Sequence, residues 1–97
     1  MTLEQRLYDG DRAREVLENE AFEAAFSAIE KEVIEQWMQS PARDQEGRER
    51  LWTYLGLLKK LKAQLTQTLE TGKLAQLELQ HRQTVAERAR GWLSRAA

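Results

Sequence analysis

The sequence predicts an all-α fold, a helical hairpin with a long second helix, packed in coiled-coil fashion and oligomeric. Three observations point there. Leu51, Leu55, Leu58, Leu61, Leu65, Leu69 and Gly72 recur at close to 3.5 residues, the period that keeps one helical seam facing a partner. Phe22, Phe26, Ile29, Val33 and Trp37 step by 4, 3, 4 and 4, and so share one face of an earlier helix. Breakers are scarce: one proline and five glycines in 97 residues.

In chain order, Thr2 followed by Gln5 has the form of a capping box and starts a helix at Leu3. Asp9-Gly10-Asp11 reads as a turn that interrupts it. Residues 1–19 are therefore expected to form short helices, the second from Arg12 to Glu18 with Val16 and Leu17 as its apolar pair. Asn19 caps the next helix, with Glu20 and Glu23 in the first turn, where the dipole favours negative charge. Ser40-Pro41 ends it, because the residue before a proline is pushed out of the α region. Ser40 to Asp44 is then a loop, and Asp44 a cap for the long helix. Residues 20–72 make up the hairpin core.

At 1.5 Å per residue, a helix over residues 46–71 is a rod of roughly 39 Å, against roughly 30 Å for residues 20–39. The two lengths do not match. Gly56 reads as a place where another backbone approaches, and Gly72 as a C-terminal cap or a mid-helix weak point. Residues 73–97 follow as a thinly apolar helical extension or tail. Gly91 is expected to close it, with Trp92 and Leu93 as an apolar hook.

The hairpin cannot cover all the apolar side chains: Leu57, Leu74, Leu77, Leu79 and Trp92 have no partner within two helices. A thin core below about 100 residues needs a staple, and the chain has no cysteine to make a disulfide. Oligomerisation through the long helix is the expected answer. The alternative is a compact three- or four-helix monomer with the C-terminal segment folded back.

Composition narrows the chemistry. Without cysteine there is no thiol nucleophile and no thiolate metal site. No apolar run approaches the roughly 18 to 20 residues that span a bilayer. Met1 to Arg6 lacks the basic stretch and apolar core of a signal peptide, so one small cytosolic domain with no membrane partner is expected. No serine, threonine or lysine is flanked by a recognisable base, and no glycine-rich loop can cradle a phosphate, so the chain reads as non-enzymatic and free of cofactors. Glu78 and His81 have the E-x-x-H spacing of di-iron bundles, but a site needs a second such motif and further carboxylates, so no metal is expected.

Charge divides along the chain. Residues 1–50 carry 13 acidic and 7 basic side chains (net −6), residues 51–97 carry 3 and 8 (net +5). Such halves can pair with each other, pair between copies, or offer a basic end to a polyanion. Arg82, Arg88, Arg90 and Arg95 gather near the C-terminus around Trp92, a composition suited to salt-sensitive phosphate contact or to a protein groove. Arg43, Arg48 and Arg50 are diluted by Asp44, Glu46 and Glu49, and no helix-turn-helix is evident.

The run Ser40-Pro41-Ala42-Arg43-Asp44-Gln45-Glu46-Gly47-Arg48-Glu49-Arg50-Leu51-Trp52 is the most distinctive part of the chain. With Glu70-Thr71-Gly72-Lys73-Leu74-Ala75 and Glu18-Asn19-Glu20-Ala21-Phe22, it resembles a family of small helical proteins encoded by tailed bacteriophages and prophages. The resemblance covers roughly residues 15–79. It implies a phage origin, a virion or assembly role near head and portal components, and a place in the host cytoplasm or on the virion. Partners would be the chain itself and other phage proteins; no catalytic residue is carried over.

Physically, the same motif reads as an inter-helix corner. Pro41 sets the turn, Arg43 and Asp44 lock the loop by pairing with each other or with the facing helices, Gly47 permits close approach, and Trp52 packs under the loop against Trp37 or Met38. Two rival functions stand beside the structural one. One is a nucleic-acid-binding packaging or regulatory accessory using the arginine tail. The other is a small inhibitor of a host protein using the acidic first half, interrupted by Arg12, Arg14 and Lys31.

Overall fold

The computed structural model describes residues 1–96. They form three helices, α1 (Leu3–Leu17), α2 (Glu20–Gln39) and α3 (Gln45–Ala96), with no strand among the described residues. Each start is fixed by a short polar side chain. Thr2 Oγ1 accepts from Gln5 N at 3.0 Å, Asn19 Oδ1 from Phe22 N at 2.9 Å, and Asp44 Oδ1 from Gly47 N at 3.1 Å. All three satisfy first-turn amides that have no partner within the helix.

α1 is one helix, not two: it runs unbroken through Asp9-Gly10-Asp11. The local turn preference loses because Gly10 is buried against a neighbouring helix, so tertiary packing decides the conformation. The real break falls at Glu18-Asn19, where Asn19 is extended (φ −72°, ψ 119°) before α2 begins. α2 ends at Ser40, whose ψ of 140° follows from the proline after it.

α1 and α2 run in the same sense, and both lie antiparallel to α3. Trp37 meets Leu51 and Leu55, Phe26 meets Lys62, Gly10 meets Gly72, and Arg6 reaches Glu78. The hairpin therefore has one broken arm, residues 3–39, laid along one continuous helix. This resolves the unequal lengths, since α1 covers what α2 leaves bare.

α3 has 52 residues. Neither Gly72 nor Gly91 ends it, and Trp92 and Leu93 sit on the helix rather than in a hook. Nor does the C-terminal segment fold back. The molecule measures 82 × 24 × 17 Å with a radius of gyration of 22.4 Å. A compact domain of this length would have a radius of about 13 Å. Beyond Glu78 about a third of α3 extends past the start of α1.

Burial is correspondingly slight. The buried apolar residues are Ala13, Phe26 and Ala75, with no large side chain completely buried among the described residues. The accessible surface is 7960 Å². A compact monomer of this mass would expose about 5,700 Å².

Candidate interaction surfaces

The loop end of the hairpin is a closed corner. Arg48, on the first turns of α3, lies over the Trp37 ring with its guanidinium carbon 4.2 Å from the centroid. Its Nη1 donates to Trp37 O at 3.1 Å, Ser40 O at 3.3 Å and Ser40 Oγ at 2.8 Å; Trp37 O also accepts from Ser40 N and Ser40 Oγ, so the guanidinium joins the α2 cap and gives Ser40 O a partner. Arg48 therefore locks the loop; Arg43 is exposed and makes no ion pair or side-chain hydrogen bond among the described residues. Asp44 is used as the α3 cap rather than as a partner of Arg43. A Cβ at Gly47 would collide with that Asp44 carboxylate, so glycine at this position leaves room for the cap. Pro41 lies in the exposed turn between the two helices.

Beside this corner, Val33, Ile34, Trp37, Leu51, Trp52 and Leu55 line an apolar cleft of about 210 Å³. Trp52 forms its outer wall and stays 69% exposed. Met38 nearby on α2 is exposed as well. The cleft offers no charged or hydrogen-bonding side chain apart from the two indoles, a lining suited to apolar side chains rather than to catalysis.

Along the hairpin, Phe26 is buried, while Phe22, Val33, Leu51, Leu55, Leu58, Leu65 and Leu69 are half-buried. Leu61 leaves the seam, and Lys62 takes its place, its ammonium 5.2 Å from the Phe26 ring centroid. The broken first arm shifts the register, so the 3.5-residue leucine pattern does not map wholly onto one contact. Ile29, Tyr54, Leu57 and Leu61 remain exposed.

α1 and α3 approach closely at two glycines. A Cβ built on Gly10 would stand 2.7 Å from Gly72 Cα, and one built on Gly72 the same distance from Gly10 Cα. Only hydrogen fits there, so α1 crosses α3 backbone to backbone, with buried Ala13 and Ala75 in the same contact region. The close approach expected at Gly56 is absent: nothing lies within 4 Å of a Cβ there. The sequence does hold a signal for the actual crossing. Gly10 and Ala13 lie three residues apart, as do Gly72 and Ala75, and each pair shares a helix face.

At the far end of α1, Arg6 Nη2 pairs with Glu78 Oε2 at 3.1 Å, while Arg82 Nη2 holds Glu78 Oε1 at 2.7 Å. Arg6 was not legible as a contact residue, because nothing in its neighbourhood distinguishes it from a surface arginine. Glu78 is thus a carboxylate between two guanidiniums, and it is not gathered with other ligands: no group of three His, Cys, Asp or Glu is placed to hold a metal among the described residues.

Past Glu78 the helix stands alone. At 100° per residue, Arg88, Trp92 and Arg95 fall on one face and Arg90 on nearly the opposite one. The arginine group is therefore divided around the helix rather than gathered into a stripe. No helix among the described residues is long and apolar enough to cross a membrane.

No protein-family model, curated protein or solved structure matches the chain.

Proposed function

We propose that the chain is a non-enzymatic bacteriophage structural or assembly protein that works by associating with itself through its helices and docking on head or portal components. The observation that carries the self-association is the ratio of exposed to buried apolar surface. Large side chains stand in solvent along the whole rod, from Trp52 and Leu57 to Leu74 and Trp92, while the interior holds one phenylalanine and two alanines. A soluble monomer rarely leaves so much apolar surface uncovered, and burial at an interface removes it from water. The phage assignment rests on the resemblance of the Ser40–Trp52 loop and its companion segments.

Two measurements test the reading. Light scattering on the purified full chain should give a mass above 11.3 kDa that rises with concentration; a constant monomer mass overturns self-association. Antibody detection in purified particles and assembly intermediates from a producing strain should find the chain with head or portal proteins. Its absence from every such particle overturns the docking role.

A further inference from the structure

The part of α3 that α1 and α2 leave uncovered carries its own pattern. Leu74, Leu77, His81, Val85, Arg88 and Trp92 step by 3, 4, 4, 3 and 4. At 100° per residue all six fall within an arc of about 80°, centred about 150° away from the Thr68, Gly72, Ala75 and Leu79 face that meets α1. Both faces can therefore be occupied at once. The four apolar members are bare: Leu74 is 65% exposed, Leu77 61%, Val85 51% and Trp92 68%. A helical segment without tertiary contacts gains little stability from propensity alone, so a partner on this face would stabilise it.

We infer that this face is an interface for a second copy of the same chain, paired antiparallel about the level of Gln83 so that two molecules join tail to tail. This deepens the self-association proposed above and rests on it. The pattern is close to palindromic. Reversed on itself about residue 83, it sets Trp92 opposite Leu74 and Val85 opposite His81. The charges follow the same symmetry. Arg95 falls opposite Glu70–Thr71, and Arg88 opposite Glu78. Glu78 already holds Arg6 and Arg82, so Glu70 is the less committed of the two acids, its one ion pair being the exposed contact with Lys73.

A parallel pairing in register would instead stack Arg88 on Arg88, Arg95 on Arg95 and Glu70 on Glu70 across the axis. Exposed ion pairs add little affinity, but like charges set face to face discriminate strongly between orientations. The antiparallel dimer is isologous and closes on itself, whereas laying the basic tail head to tail on another copy's acidic arm is heterologous and builds a ring or a filament.

The chain has no cysteine, so single cysteines report the register directly. Glu70→Cys chains are mixed with Arg95→Cys chains, both substitutions flanking the apolar stripe, and oxidised while the solution mass of the unsubstituted chain is measured. The expected result is a dimeric mass, with the mixed disulfide that joins one E70C chain to one R95C chain dominant over either homodimer. A dimeric mass with homodimeric products dominant overturns the tail-to-tail pairing and leaves self-association standing. A monomeric mass overturns both. Val85→Lys supplies the independent check, since residue 85 lies in solvent in the single chain. It should weaken dimerisation by at least about tenfold, because each interface would take in two ammonium groups facing His81 and flanked by Arg82 and Arg88, while the melting of the α1–α3 contact stays unchanged. Dimerisation unaffected by this substitution also overturns the pairing.

Discussion

Glycine has opposite meanings at different positions of this chain, and the difference is measurable. At Gly10 and Gly72 an alanine methyl would enter the space of the facing Cα. Overpacking of this kind costs about 1–3 kcal/mol, against a helix-propensity gain of about 1 kcal/mol. Because the facing atom is backbone and cannot rotate away, the cost lies in the upper part of that range, and Gly72→Ala should lower stability by about 1–2 kcal/mol and Tm by several degrees. Gly56→Ala meets nothing within 4 Å and should raise stability by about 0.5–1 kcal/mol. Thermal melts of the two variants check both signs; a Gly72→Ala chain as stable as the parent would contradict the close crossing. Arg48 gives a second contrast. Arg48→Ala removes a cation–π contact and three hydrogen bonds at the loop and should cost about 1 kcal/mol, reduced from larger values by solvent exposure. Arg43→Ala, in the same loop, should stay within about 0.5 kcal/mol of the parent.

The helices were largely legible because their signals are local. Thr2, Asn19 and Asp44 cap the three helices with their own side chains, and Pro41 stops α2 through a steric clash with its neighbour. What was not legible depended on contacts between distant segments. Asp9-Gly10-Asp11 has the composition of a turn, and only the facing Gly72 makes it a helical contact. Leu61 has the right spacing for the seam, yet it stays exposed, and the neighbouring Lys62 is the residue that lies over the Phe26 ring. Gly91 has no neighbour that would make it a terminus, and α3 passes through it. The interaction surfaces fared similarly: Trp37 and Trp52 meet at one cleft, whereas the four C-terminal arginines divide around the helix.

The same distinction separates the two ends of α3. Its first two-thirds are held by the broken arm, and its last third packs on no other helix among the described residues. A chain ending after Gln80 should keep the melting temperature of the hairpin, because residues 81–95 are exposed throughout apart from half-buried Gly91. In the full chain, amide exchange over 81–95 should be fast at low concentration and slow as association sets in. Equal protection at all concentrations would mean that the extension is stable by itself.

At the scale of the whole molecule, exposed apolar surface is out of proportion to the core. A rod 82 Å long with 7960 Å² of accessible surface has only three buried apolar residues among those described. Tail-to-tail pairing would cover the bare third of α3 and leave the Trp37–Trp52 clefts at the two outer ends, free for other assembly components. Overlap of residues 70–95 removes roughly 39 Å from two rods placed end to end. The most direct test is small-angle X-ray scattering on the full chain across concentration. The expected result is a doubling of mass as the longest dimension grows from about 82 Å to about 125 Å. A mass that stays at 11.3 kDa with an unchanged length of about 82 Å would contradict tail-to-tail assembly.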